Sequence, residues 1–225
     1  MNRTLYIVAT PIGNLGDFSP RGVETLKNAD LILSEDTRVT KKLLSRFKIS
    51  TPLVSYHQHS LRNNADRIIK IILDHKTIAL VTDAGTPGIS DPGNELLDYL
   101  YSLLIPDLKI FPIPGPSALT AAISVCGFDM SRYTYIGFIP KKRKEKLIQE
   151  LKNSNHPFIY FDSPHRLEKN LEFIEKHFGS KTRVFIAREI TKMYEEYLRG
   201  DIETMRQQLL TLNPKGEVVV IVENK

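Results

Sequence analysis

The chain has 225 residues, 41% of them hydrophobic and 25% charged, a composition of a folded globular protein and not of a disordered one. That length suits one large domain or two small ones. The formal net charge of +5 mildly favours a polyanionic partner such as nucleic acid, although an ordinary basic protein carries as much. The only cysteine, Cys126, excludes an internal disulfide and a cysteine-built metal site, which fits a reducing cytoplasm. No stretch reaches the roughly 20 apolar residues of a membrane span, so no membrane association is expected.

The chain opens on "LYIVAT", an apolar run too short for a signal-peptide core, which reads as a buried strand. Ser19 followed by Pro20 is a helix N-cap and first-turn signal, so "PRGVETLKNA" is expected to be helical. "LILSED" reads as a strand, "RVTKKLLSRFK" as a helix and "LVSYH" as a short strand. "RIIKIILDH" is a helix with a wide apolar face. "TIALVTD" reads as a strand, "NELLDYLYSLL" as a helix and "KIFPIPG" as another strand. Strands and helices alternating at these lengths imply crossover units and a mainly parallel sheet.

The second half changes character. "PSALTAAISVCG" is a small-residue helix ending at Gly127, followed by "YTYIGFIP" and the basic helical stretch "KKRKEKLIQELKN". "FIYFD" is a strand, and "HRLEKNLEFIEKHFG" is a helix with Gly179 as its C-terminal cap. "RVFIARE" and "EEYLRG" read as strands, "DIETMRQQLL" as a helix and "GEVVVIVE" as the closing strand. The expected fold is α/β in two domains, residues 1–115 with a mainly parallel sheet and 116–225 with a mixed sheet.

Several loops carry chemistry. "DAGTPGISDPG", residues 83–93, is the strongest local signal. Its glycines let backbone groups approach a ligand closely. Asp83 and Asp91 repel phosphate, accept hydrogen bonds from hydroxyls and amines, and favour a cationic centre. A ligand with a ribose, an ammonium group and a sulfonium suits this loop better than ATP does; the alternative is a plain surface turn. "TPIGNLGD" lacks the spacing of a dinucleotide or phosphate loop and reads equally as a tight turn. "SEDTR", residues 34–38, ends a strand with two acids and a base; either it serves a site, or Asp36 caps the next helix. "PIPGPSALTAA" allows close approach by a ligand, or is simply a capped helix start. "YHQH" offers His57 and His59, but without H-E-x-x-H or further cysteines no metal is expected. "KKRK" at 141–144 and the run Arg38, Lys41, Lys42, Arg46 and Lys48 are either solvated faces or phosphate contacts. "REITKMYEEYLRG" is either an exposed helical charge network or part of a site.

Taken in order, "VATPIGNLGDFSPR", "SEDTR", "SYHQHS", "VTDAGTPGISDPG", "PIPGPSALTAAISVCGF", "DSPHR", "REITKMYEEYLRG" and "GEVVVIVE" resemble the ribosomal RNA small subunit methyltransferase I family, within the tetrapyrrole-methylase-like class III methyltransferases. The resemblance spans nearly the whole chain. It implies two α/β domains, a homodimer, and S-adenosylmethionine held in a cleft between the domains. The implied reaction is methyl transfer to the ribose 2′-oxygen of a cytidine in the decoding region of 16S rRNA, on the small ribosomal subunit in the cytoplasm. Carried over residue by residue, Asp83, Ala84, Gly85, Ile89 and Ser90 match the cofactor loop. Pro116, Ser117 and Ala118 match a second cofactor segment, and Thr10 and Pro11 the loop after the first strand. Phe161, Asp162 and Gly216 match positions facing the adenine. Asp36, Arg38, Glu189 and Lys192 are the candidates for activating the 2′-hydroxyl, with no choice among them. The family usually continues past its last strand in a basic helical tail, whereas this sequence ends at "IVENK", so weaker RNA docking is expected. Two rivals stand beside this reading: a superfamily methyltransferase acting on a tetrapyrrole or a protein, and a non-catalytic RNA-binding module. The "SEDTR" and "REITK" segments and the positive charge argue against the first. The acidic loop argues against the second.

Overall fold

The computed structural model describes residues 2–56, 60–212 and 216–224, and the chain divides into two compact units, Met1–Ser117 and Ala118–Lys225. The first unit holds strands β1 (Arg3–Val8), β2 (Leu31–Ser34), β3 (Leu53–Ser55), β4 (Thr77–Val81) and β5 (Leu108–Ile113). They form one sheet in the order β3-β2-β4-β1-β5, and every pairing is parallel. Helices α1 (Pro20–Asn28), α2 (Thr37–Arg46), α3 (Ser60–Asp74) and α4 (Asn94–Ser102) make the connections.

Local sequence explains these elements. The Ser19 side chain accepts the Gly22 N–H at 3.0 Å, with Pro20 in the first turn, and so starts α1 as expected. β2 and β4 are apolar at nearly every position because both faces of a parallel sheet are covered. Leu31, Leu33, Ile78 and Leu80 pack with Ile68, Ile72, Leu96 and Leu100 on one face. Ile32, Ala79 and Val81 pack with Leu26, Leu44 and Phe18 on the other.

The second unit holds α5 (Ala118–Cys126), β6 (Thr134–Phe138), α6 (Lys144–Ser154), β7 (Phe158–Asp162), α7 (Pro164–Phe178), β8 (Arg183–Arg188), β9 (Glu196–Asp201), α8 (Ile202–Leu212) and β10 (Val218–Val222). Its sheet runs β6-β7-β10-β8-β9 and is mixed: β6 and β7 are parallel, the remaining pairs antiparallel. Phe158, Tyr160, Val184, Ile186, Val218 and Val220 form a core with Leu167, Leu171, Ile174, Met205 and Leu209 from α7 and α8. Gly179 ends α7 with φ +93, where its N–H donates to the Glu175 carbonyl. "REITKMYEEYLRG" is not helical: Arg188 closes β8, residues 189–195 turn, and Glu196 opens β9.

Candidate functional site

An all-parallel sheet delivers the carboxyl ends of all its strands to one edge, where open α/β folds collect their ligand groups. In the first unit that edge gathers the loops after β1, β2, β4 and β5. Thr10 and Gly85 exchange two backbone hydrogen bonds, Thr10 N–H to the Gly85 carbonyl at 2.9 Å and Gly85 N–H to the Thr10 carbonyl at 3.0 Å. The Thr86 hydroxyl donates to the Pro116 carbonyl at 3.0 Å. Gly85 has φ +75, and a Cβ there would lie 3.2 Å from the Ile12 side chain. Thr10, Pro11, Asp83, Ala84, Gly85 and Pro116, drawn from three distant stretches of sequence, therefore form one knitted surface. Ile89 and Ser90 follow in the same loop, Ser90 at φ +63. Ser117 closes the first unit, and Ala118 opens α5 of the second.

β2 and β4 are neighbours, with Ser34 opposite Val81, so the residues that follow each strand meet. The Asp83 carboxylate accepts the Asp36 backbone N–H at 3.0 Å, and the Glu35 carboxylate accepts the Asp83 N–H at 3.4 Å. Asp36 caps α2: its Oδ1 accepts the Arg38 N–H at 2.8 Å. The Arg38 guanidinium grips the same carboxylate, Nη2 to Oδ2 at 2.6 Å and Nε to Oδ1 at 3.0 Å. This grip holds the Asp36 carboxyl at a pKa of about 2 and raises that of Arg38. Asp36 is thus both the helix cap and half of an exposed ion pair. It is ionised at neutral pH, a good hydrogen-bond acceptor and a weak base.

In the second unit, Glu189 and Lys192 also pair with each other, at 2.8 Å. Glu189 Oε1 further accepts the Glu217 N–H at 2.9 Å, and Lys192 Nζ also donates to Glu217 Oε2 at 3.0 Å. Burial pushes the Glu189 carboxyl up, but the Lys192 ammonium and the Glu217 N–H outweigh it, and the net shift is downward. Lys192 is raised: burial opposes its charge, and Glu189 and Glu217 more than offset that. Gly216 has φ +91, and a Cβ there would fall 2.2 Å from the Glu189 side chain. Glu189, Lys192 and Gly216 therefore share one spot. Glu195 staples the turn by accepting the Thr191 N–H at 2.9 Å and the Tyr197 hydroxyl.

Phe161 and Asp162 end β7. Phe161 packs edge-on against Tyr135 and Phe138, with ring centroids 5.3 and 5.9 Å away. The Asp162 carboxylate is 4% exposed; it accepts the Ser163 N–H at 2.9 Å and the Asn170 side-chain N–H at 2.8 Å. Asn170, 1% exposed, in turn accepts from Lys144 Nζ at 3.0 Å. Burial raises the Asp162 carboxyl pKa and lowers that of Lys144. The "KKRK" run is accordingly divided: Lys144 turns inward while Lys141, Lys142 and Arg143 precede α6 and are exposed.

Glu35 is one of the two acids of "SEDTR" and Glu195 belongs to the charged segment after β8, so both carry a sequence signal; Glu217 and Asn170 become visible only as tertiary partners. A pocket of about 340 Å³ also lies in the first unit, lined by Thr10, Pro11, Gly13 and Asp83 and by the Leu15, Val39, Lys42, Leu43 and Arg46 side. His57 and His59 fall outside the described residues. Among the described residues no group of three potential metal ligands occurs, and no helix is long and apolar enough to cross a membrane.

The sequence model of the tetrapyrrole (corrin/porphyrin) methylases matches residues 4–206. A ribosomal RNA small subunit methyltransferase I from Halalkalibacterium halodurans is 44% identical over 222 residues, covering 98% of this chain and 75% of its own. One of the same name from Thermotoga maritima is 39% identical over 222 residues, covering 98% of both chains. Among solved structures, diphthine synthase superposes with a TM-score of 0.73 at 15% identity, over 99% of this chain and 90% of that one. Uroporphyrin-III-C-methyltransferase from Thermus thermophilus does so with a TM-score of 0.66 at 16% identity, over 98% and 94%. The structural likeness shows the shared two-sheet α/β fold, and the sequence identity carries the assignment further. The family implies a methyltransferase with a donor of the S-adenosylmethionine type. The chain belongs to the tetrapyrrole (corrin/porphyrin) methylase family, in the branch whose members are named ribosomal RNA small subunit methyltransferase I.

Proposed function

We propose that this protein is a cytoplasmic, homodimeric S-adenosylmethionine-dependent methyltransferase that methylates the ribose 2′-oxygen of a cytidine in the decoding region of 16S rRNA. Within the fold, the observation that carries the reading is the acidic glycine loop 83–85, tied to Thr10 by two backbone hydrogen bonds and to Asp36 by the Asp83 carboxylate. The substrate class rests on relatives named as small-subunit rRNA methyltransferases.

The loop fits the donor. Asp83 Oδ1 holds the Asp36 N–H, which leaves Oδ2 to accept from a ribose hydroxyl or amino group. Gly85, with no side chain and a positive φ, lets a ligand lie against its backbone. The carboxylates favour a cation and repel phosphate, which suits a sulfonium. The donor, when bound, supplies a methyl group on positively charged sulfur.

The protein's part is alignment and proton handling. In-line displacement needs the 2′-oxygen held opposite the leaving sulfur, and that positioning accounts for much of the rate. Asp36 and Glu189, carboxylates with lowered pKa, are the two candidates: either one would orient the hydroxyl as an acceptor and take its proton as the C–O bond forms, not in the ground state. Arg38 and Lys192 are the cations that steady phosphate or the developing oxyanion.

Mapping 2′-O-methyl marks on small-subunit rRNA from cells with and without this protein tests the reading. The expected result is one cytidine mark that depends on the protein. Incorporation into uroporphyrinogen or a protein instead of rRNA would support the tetrapyrrole or protein alternative. Failure to bind S-adenosylmethionine at millimolar concentration in calorimetry would support the non-catalytic one.

A further inference from the structure

The pocket of the first unit has a mixed lining. Leu15 and Val39, 38% and 39% exposed, and Leu43 are its apolar part. Lys42 and Arg46 are its cationic part, on the same face of α2 as Val39 and Leu43. They are four residues apart on α2, on one helix face and about 6 Å apart along its axis. α2 carries Arg38, Lys41, Lys42 and Arg46 and no acid. Arg38 is engaged by Asp36, whereas Lys42 and Arg46 form no ion pair or hydrogen bond with another described residue. Asp83 and Thr10 border the same pocket with polar groups.

A ligand that uses all of this must present a flat apolar surface, an anion and hydrogen-bonding hydroxyls. The methyl donor has no phosphate; its one anion is a carboxylate, which a single cation satisfies, whereas a backbone phosphate engages both. A volume of about 340 Å³ falls at the small end of ligand pockets, the size of one nucleotide and not of a large macrocycle. Resting on the RNA-methyltransferase reading above, we propose that this pocket seats one nucleotide of the substrate RNA strand. The base or sugar lies on Leu15, Val39 and Leu43, and the backbone phosphate on Lys42 and Arg46. The sugar edge is directed toward Asp83. Lys42 and Arg46 would thus be positioning residues that set the strand's register at the site.

Lys41 provides a matched control, since it lies on the same helix with the same charge and does not line the pocket. The test compares Lys42→Ala/Arg46→Ala with Lys41→Ala, after melting curves establish that both fold. Two readouts are used: anisotropy binding of an unmethylated 16S rRNA fragment across salt concentrations, and methylation kinetics on small subunits. The double variant is expected to flatten the salt slope by about 0.7, the value for one phosphate of a single strand. It should also raise the RNA KM at least tenfold with the S-adenosylmethionine KM unchanged, while Lys41→Ala behaves as wild type. Equal slopes and KM values in the two variants would overturn the proposal while leaving the methyltransferase reading intact. A slope flattened in the double variant, with a wild type that methylates no RNA, would keep the anchor and sink that reading. Displacement of the RNA by millimolar cytidine monophosphate as readily as by unlabelled RNA would assign the pocket to free nucleotides and overturn the strand proposal.

Discussion

The Asp83 carboxylate accepts the backbone N–H of Asp36 at 3.0 Å across 47 positions of sequence. One side chain therefore serves two ends: Oδ1 fixes the loop after β2, and the carboxylate lends its charge to the pocket it lines. Replacing Asp83 separates them. Asp83→Ala loses both and is expected to weaken S-adenosylmethionine binding at least tenfold, about 1.4 kcal/mol. Asp83→Asn keeps an acceptor for Asp36 and should fall between Ala and wild type. Asp91, later in the loop and half-buried, should tolerate Ala without such loss. Calorimetry on the three variants decides; equal losses at 83 and 91 would show that the loop is read wrongly.

The Arg38 grip on Asp36 has a direct titration signature. In wild type the Asp36 carboxyl should titrate at about 2 by carbon-detected NMR. In Arg38→Ala the midpoint should climb toward the ordinary 3.8, because the largest cause of the depression is gone. A depressed pKa stabilises the fold above the unfolded value and loses that contribution as pH falls toward 2. The α2 cap should therefore survive mild acid in wild type and fray earlier in Arg38→Ala. An unmoved midpoint would contradict the assignment.

The two acids make opposing candidates for the 2′-hydroxyl. Asp36→Asn and Glu189→Gln each keep shape and remove charge. At least one should slow single-turnover methyl transfer by about 10²-fold, the low end of general-base effects. Unchanged rates in both would remove the carboxylates from the chemistry.

Gly216 and Glu189 are tied by space. A Cβ at 216 would lie 2.2 Å from the Glu189 side chain, and the backbone there has φ +91. Gly216→Ala should cost about 1–2 kcal/mol from backbone strain alone and more from expelling Glu189. In a Glu189→Ala background the steric part vanishes, so the double variant should lose less than the sum of the singles. Urea melts of the four proteins measure this, and strict additivity would refute it.

Asn170 joins two charges, accepting from Lys144 and donating to Asp162 at 3.0 and 2.8 Å. Asn170→Ala should cost about 1–3 kcal/mol, the penalty for stranding buried polar groups. Burial raises the Asp162 pKa, so the native state keeps its proton longer than the unfolded chain, and this residue's contribution falls as pH rises above 3.8. Removing Asn170 withdraws a bond from the ionised form. The loss should be larger at pH 7 than at pH 4, and a pH-independent loss would argue against the network.

Much of this was legible along the chain because its causes are local. The Ser19–Pro20 start of α1, the Gly179 end of α7 and the unbroken apolar strands β2 and β4 each follow from a few adjacent residues and the need to bury them. The charge runs are less legible. In "KKRK" Lys144 turns inward while Lys141, Lys142 and Arg143 are exposed; in "REITKMYEEYLRG" the strand "EEYLRG" is as expected, and a stapled turn precedes it in place of the helical charge network that was the alternative. Charge count along a sequence does not say which side chain finds a buried partner.

The sequence by itself determined the element types, the parallel first sheet, the acidic glycine loop and the family. Those depend on periodicity, caps and motif order, which are properties of neighbours in the chain. Only the tertiary structure decided that Asp83 holds Asp36, that Asp36 is committed to Arg38, and that Lys42 and Arg46 share a pocket with apolar side chains. Such pairings arise because a parallel sheet brings the carboxyl ends of distant strands to one edge, and strand order is set by long-range packing that no local pattern encodes.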